Sequence, residues 1–206
     1  QVSAGFYHTC ALDDTGVVCW GWDGFGQSTV PELTNPTQVS AGFYHTCALD
    51  DTGVVCWGDD FYGQSTVPEL TNPTQVSAGG FHTCALDDTG VVCWGDDFYG
   101  QSTVPELTNP TQVSAGGFHT CALDDTGVVC WGYDDNGQST VPNLYIDPDG
   151  DGYTNQNRLD AFPLDSSEWI DTDLDGIGDN ADGDDDNDTV LDVDDVFPLD
   201  ATESAD

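Results

Sequence analysis

Apolar positions in this chain recur in short alternating runs. Thr37 to Ala41 alternates polar and apolar residues, and His45 to Leu49 and Gly53 to Trp57 are brief stretches rich in β-formers. Each is bounded by turn residues and predicts a strand. Between the last two stands Asp50-Asp51-Thr52-Gly53, whose aspartates favour a turn and whose glycine accepts positive φ, so the pair predicts a β-hairpin. A turn centred between Asp51 and Thr52 brings Cys47 directly opposite Cys56. In that register His45, Cys47, Leu49 and Cys56 share one face, while Ala48, Val55 and Trp57 share the other. Both faces are largely apolar, which predicts a sheet sandwiched between others, as blades are in a propeller. A fourth strand has one candidate, the short Ser65 to Val67 before Pro68.

The pattern begins again at Gln1, Gln38, Gln75 and Gln112, a step of 37 residues. A fixed period in this range means a solenoid, propeller or array whose units bury their faces against neighbours. The fold class expected for residues 1–144 is therefore all-β, with four short propeller-type repeats at 1–37, 38–74, 75–111 and 112–144. Eight cysteines fall at one repeated separation and pair as Cys10 with Cys19, Cys47 with Cys56, Cys84 with Cys93 and Cys121 with Cys130. Each cross-strand disulfide is expected to contribute about 2.5 to 3 kcal/mol by the chain-entropy model. Such bonds persist in oxidising compartments, so an extracellular or cell-surface location follows.

His8, His45, His82 and His119 each stand two residues before a cysteine. A His-x-Cys zinc site would need thiolates that a disulfide removes, which leaves strand histidines bonded to neighbouring backbone. No nucleophile or base stands apart from its three equivalents, and the chain is expected not to be an enzyme. The copies differ mainly just after Cys-Trp-Gly, where Trp22, Phe25, Phe61, Tyr62, Phe98, Tyr99 and Tyr133 lie beside aspartates. Aromatic loops on a rigid scaffold suit a binding surface for glycans or another surface protein.

The string Val76-Ser77-Ala78-Gly79-Gly80-Phe81-His82-Thr83-Cys84-Ala85-Leu86, followed by Gly90-Val91-Val92-Cys93-Trp94-Gly95 and Gly100-Gln101, resembles the repeats of the regulator of chromosome condensation family. The resemblance covers residues 1 to about 144 and implies a β-propeller, usually of about seven blades. These units are shorter than that family's typical repeat, and four are present. They are expected to close a ring, to join a larger one, or to stack between chains.

From Tyr145 the composition changes. Of 39 acidic residues, 18 lie in the repeats and the other 21 between Asp147 and Asp206. Asp171, Asp173, Asp175, Asp179 and Asp182 occupy positions 1, 3, 5, 9 and 12 of a loop with Gly176 at position 6 and Ile177 as carbonyl donor at position 7. That spacing wraps oxygens around calcium. A second loop repeats it with Asp184, Asp186, Asp188, Asp192 and Asp195 and the Val190 carbonyl, although Thr189 replaces the glycine and strains the turn. An earlier loop offers Asp147, Asp149, Asp151, Tyr153 and Asn155, with Asp160 closing it beyond Arg158. Phe162-Pro163-Leu164-Asp165 returns 35 residues later as Phe197-Pro198-Leu199-Asp200, so this segment repeats too. Residues 147–206 resemble thrombospondin type 3 repeats of bacterial secreted proteins, which implies calcium held by extended chain with little apolar core. The prolines and the lack of helical periodicity argue against EF-hands.

The acids face a single Lys or Arg, for a formal charge of −38. Nucleic acid is excluded as a partner, since phosphate binding needs basic clusters, and anionic membrane is disfavoured for the same reason. No apolar run approaches the ~20 residues of a membrane span. A chain that opens on a repeat boundary and stops at the start of another acidic motif is expected to be a piece of a longer protein. The expected function is a secreted or cell-surface structural and adhesive protein whose acidic stalk calcium stiffens. The alternatives are a lectin-like glycan- or protein-binding module and a self-assembling extracellular fibre subunit that binds copies of itself.

Overall fold

The computed structural model describes residues 1–142, 149, 160–162 and 164–202. The chain divides into two compact units, Gln1–Val141 and Pro142–Asp206. No helix among the described residues is long and apolar enough to cross a membrane.

The first unit is four three-stranded antiparallel sheets, one per repeat. They are β1 (Val2–Ala4), β2 (His8–Asp13) and β3 (Gly16–Gly21); β4 (Gln38–Ala41), β5 (His45–Asp50) and β6 (Gly53–Gly58); β7 (Gln75–Ala78), β8 (His82–Asp87) and β9 (Gly90–Gly95); and β10 (Gln112–Ala115), β11 (His119–Asp124) and β12 (Gly127–Gly132). The Ser65 to Val67 segment forms no fourth strand: Ser65 and Thr66 belong to a turn whose amides bond Asp60.

The hairpin has the register its turn dictates. Asp50 accepts the Thr52 amide and hydroxyl on one oxygen and the Thr34 amide on the other, and Gly53 takes a φ of 117° that a side chain would resist. Cys47 therefore pairs with Cys56, and all four predicted disulfides form.

Both faces of the inner sheets are covered. The face of repeat 1 carrying Cys10, Leu12, Val17 and Cys19 receives Val39 and Ala41 of repeat 2, and Cys47, Leu49, Val54 and Cys56 receive Val76 and Ala78 in the same way. Side chains also cap the edge of the incoming strand. The Val39 amide donates to Gln1 Oε1 and the Ala41 amide to Ser3 Oγ, each at 3.0 Å, and both bonds recur at the next two junctions. The first strands of all four repeats line one cavity, with Gln1, Gln38, Gln75 and Gln112 around it, so the sheets fan about a common axis. Among the described residues, no hydrogen bond joins repeat 1 to repeat 4.

The second unit contains no strand or helix among its described residues. Turns bonded through aspartates build it. Asp165 accepts the amide and hydroxyl of Ser167, and Asp200 does the same for Thr202, so the 35-residue echo in the sequence is an echo in the backbone.

Candidate functional sites

At one end of the repeat unit the aromatic side chains merge into a continuous face. Trp22 lies 5.4 Å from Phe25 and 5.8 Å from Tyr44, Tyr62 lies 5.6 Å from Phe81, and Tyr99 bridges Phe118 and Tyr133 at 5.8 and 4.7 Å. An open groove of about 360 Å³ is lined by Trp22, Phe25, Tyr44, Phe61, Tyr62 and Phe81, with the Asp59 carboxylate among them. Phe61 in this groove is 81% exposed, and its counterpart Phe98, edge-on to Tyr99, is 82% exposed. The predicted loop aromatics form only half of this face. The rest comes from Phe6, Tyr7, Phe43, Tyr44, Phe81 and Phe118, at the second place where the copies differ: Gly-Phe-Tyr in repeats 1 and 2 against Gly-Gly-Phe in repeats 3 and 4. That difference has a steric cause. Phe43 lies over Gly80 and Gly117, whose absent Cβ atoms leave room for its ring.

The aspartates beside these rings serve the fold. Asp23, Asp60, Asp97 and Asp134 each accept two amides and a threonine hydroxyl across their own loop. They hold the loops and are spent as sugar-bonding groups.

The histidines lie at the junctions between repeats. His45 Nε2 meets Thr83 Oγ1 at 2.9 Å, and that hydroxyl donates its one proton to the Gln64 carbonyl, also at 2.9 Å. The imidazole must therefore be the donor, with its proton on Nε2. Its Nδ1 is buried without a partner, against Gly42. Burial, aided by His82 and His8, pushes His45 down to about 3, and burial with His119 pushes His82 down to about 4. These are neutral structural groups, and the cysteines beside them are all in disulfides.

In the second unit the carboxylates of Asp171, Asp173 and Asp175 converge, with oxygens within 4.8 Å of one another, and so do those of Asp184, Asp186 and Asp188. The loops are formed alike at a step of 13 residues. Asp173 and Asp186 accept the amide two residues on, as do Asp175 and Asp188, bending the chain so that successive carboxylates face inward. Asn187 Nδ2 bonds Asp173 and ties one loop to the other. Gly176 takes a φ of 94°, and Thr189 is forced to 82° in the equivalent place.

The ninth and twelfth positions are not in these clusters. Asp179 accepts the amide and hydroxyl of Thr172, Asp192 accepts the Asp185 amide, Asp182 accepts the amides of Gly183 and Asp184, and Asp195 accepts that of Phe197. Asp185 was not among the expected ligands. Burial, and then the neighbouring Asp192, Asp179, Asp182 and Asp173, push it up to about 6. The earlier loop of Asp147, Asp149, Asp151, Tyr153, Asn155 and Asp160 falls mostly outside the described residues.

What this unit buries is acidic. Among the described residues it has no buried apolar side chain, whereas Asp160, Glu168 and Asp186 are buried. Asp186 is 7% exposed, and its Oδ2 has no hydrogen-bond partner. Oxygens of Asp171, Asp184, Asp188 and Asp195 are likewise buried and unpartnered. Burying unpaired carboxylates is strongly unfavourable unless a cation compensates them. The donor set is all oxygen, which suits a hard divalent ion.

The regulator of chromosome condensation (RCC1) repeat matches at residues 1–27, 37–64, 74–101 and 111–138. Curated protein sequences give no significant match. Among solved structures, the ectodomain of the receptor kinase CR4 from Physcomitrella patens is similar at 30% identity and a TM-score of 0.55, over 65% of this chain and 40% of that one. The CRINKLY WD40 ectodomain of the receptor kinase ACR4 from Arabidopsis thaliana is similar at 29% identity and a TM-score of 0.52, over 64% and 48%. Prp20p from Saccharomyces cerevisiae, described with its binding to Gsp1p and histones, shares the fold at 21% identity and a TM-score of 0.58, over 71% and 47%. This chain thus spans less than half the length of each.

Proposed function

The chain belongs to the regulator of chromosome condensation (RCC1) repeat family, and from that premise we propose that it is a secreted or cell-surface, non-catalytic scaffold joined to a calcium-binding acidic segment. Four disulfides and the likeness to two receptor ectodomains support an oxidising, extracellular setting. The observation that carries the calcium reading is the burial of unpartnered carboxylates in a unit that buries no apolar side chain among its described residues. Asp171, Asp173 and Asp175 with the Ile177 carbonyl would hold one ion. Asp184, Asp186 and Asp188 with the Val190 carbonyl would hold another; Asp179, Asp182, Asp192 and Asp195, which here accept backbone amides outside the clusters, would complete the shells by turning inward as the ion binds. The ion supplies the positive charge that the sequence lacks and fixes the turns, so binding and ordering are coupled. The role that follows is structural and adhesive, with calcium stiffening a stalk beside a binding scaffold.

Calorimetric titration of the intact chain with calcium, beside circular dichroism with and without chelator, tests this reading. Uptake of at least two ions with a gain of ordered signal is expected. Absence of uptake reduces the segment to a solvated linker.

The aromatic face supports a binding role for the repeats, with a protein partner favoured over a sugar because Asp60 and Asp97 are occupied within their loops and the groove's one carboxylate, Asp59, already accepts from Gln64. Replacing Phe61 and Phe98 by alanine is expected to weaken adhesion at least about tenfold, given the energy such exposed anchors carry at interfaces. Unchanged adhesion to proteins, with loss of binding on a glycan array, would move the assignment to a lectin-like module.

A further inference from the structure

The aromatic groove holds one carboxylate, Asp59, among six rings, and all of its lining residues belong to repeats 1 to 3 of the first unit. That carboxylate is fixed in place. The Asp59 amide donates to the Tyr44 carbonyl at 2.9 Å, and Asp59 Oδ2 accepts from Gln64 Nε2 at 2.8 Å. Gln64 is fully buried and is itself held by the Tyr62 amide. Asp59 is half-buried, and its Oδ1 accepts no hydrogen bond among the described residues. Burial, then Tyr7 and Asp59, push the Tyr44 phenol up, so the carboxylate's charge is felt at a ring of the groove.

Repeat 1 gives up a hydrogen bond to build this groove. Trp22 stands where repeats 2 and 3 carry Asp59 and Asp96, which accept from Gln64 and Gln101. Gln27, the equivalent glutamine, is fully buried too, and its Nε2 has no partner. Leaving a buried donor unpaired is unfavourable, so what the exchange supplies is not stability but an indole, the largest ring in the groove. One repeat on, Asp59 itself occupies the position of Trp22, and no tryptophan closes the corresponding place.

A group that fills the groove strips water from Asp59. An apolar side chain would leave the free oxygen buried and unpaired, and a neutral hydroxyl would leave its charge uncompensated. A cation does neither, and it is also attracted to the faces of the surrounding rings. The repeats contain no Lys or Arg, since the one basic residue is Arg158, so the cation comes from outside them. Arginine fits better than lysine, because its guanidinium is planar and weakly hydrated and stacks on a ring while donating to a carboxylate. We propose that this groove receives an arginine side chain of a protein partner, stacked among Trp22, Phe61 and Tyr62 with its guanidinium donating to Asp59 Oδ1. This assignment rests on the protein-binding reading of the aromatic face.

Titration of the intact chain with the peptide acetyl-Gly-Arg-Gly-amide, beside its citrulline and lysine analogues, tests it by the NMR shifts of the Trp22 and Tyr62 side chains. Salt at about 0.15 M screens the field of carboxylates more than about 8 Å away. Saturable binding at one site is expected, tighter for arginine than for lysine and at least about tenfold tighter than for citrulline, which keeps the shape and loses the charge. Asp59→Asn keeps an acceptor for Gln64 and is expected to weaken the arginine peptide about tenfold. Trp22→Asp installs the residue of repeats 2 and 3, gives Gln27 a partner and adds a negative charge, yet is expected to weaken binding about as much, read at Tyr62. A citrulline or lysine peptide that binds as tightly, an Asp59→Asn variant that binds as before, a Trp22→Asp variant that binds no more weakly, or no binding of any peptide overturns the proposal. In each of those cases, adhesion that still falls when Phe61 and Phe98 are replaced keeps the protein-binding reading, and adhesion that does not fall removes that reading as well.

Discussion

A histidine whose proton is assigned by a threonine makes the repeat unit sensitive to acid. His45 and His82 are neutral when folded, with values pushed by burial to about 3 and about 4 against 6.5 for an exposed imidazole. Between those values and 6.5 the unfolded chain binds protons that the folded chain refuses, so stability falls as the pH drops through this window. The turn carboxylates act in the same sense at the lower end. Burial pushes Asp50, Asp87 and Asp124 up, but hydrogen bonds from Thr34, Thr71 and Thr108 and from the turn threonines outweigh it and hold all three below the usual carboxylate range. Their stabilisation is present above 3.8 and lost as the pH falls through the folded value. Urea unfolding in the presence of the intact disulfides is expected to show a midpoint that declines steadily from pH 7 to pH 4. A His82→Gln variant should flatten that slope. At Thr189 the argument is conformational: a β-branched residue held at a φ of 82° costs about 1 to 3 kcal/mol, and glycine does not bear that cost. Thr189→Gly is expected to tighten calcium at the second loop about fivefold or more, read by competition with a chelating dye.

At the level of elements, the hairpin was legible from end to end. Asp-Asp-Thr-Gly fixes the turn, the turn fixes the register, and the register sets Cys84 opposite Cys93. Replacing that pair by serine is expected to cost about 2.5 to 3 kcal/mol, measured as a drop in urea stability, since a disulfide closing so short a loop acts mainly on the unfolded chain. The spacing of Asp171, Asp173 and Asp175 likewise foretold their convergence, because alternate residues in a turn of Asx bonds face one way. Long-range geometry was less legible. Nothing local in Gln38 or Ser40 announces that they cap the edge of a strand about 38 residues on. Phe43 and Phe81 meet because two sheets fan from one axis, and an axis is a property of packing, not of a run of residues. The one available signal was the exchange of Phe-Tyr for Gly-Phe between copies.

For the molecule as a whole, two units with opposite sources of stability share one chain. The first is held by apolar faces, side-chain caps and disulfides, the second by turns that bury acid. Scanning calorimetry is therefore expected to give two transitions. The one belonging to the acidic unit should gain about 2.7 kcal/mol for each ion bound at a hundredfold excess of calcium over the dissociation constant, and the other should stay in place. The side-chain caps between repeats also bear on heredity. Donors and acceptors for a junction stand on opposite faces of the same 37 residues, so copying the coding sequence of one unit copies a finished joint along with it. Unequal recombination can lengthen or shorten such a tract without creating a mismatched seam, and the number of units is left free to drift between lineages while the fit between them is inherited intact.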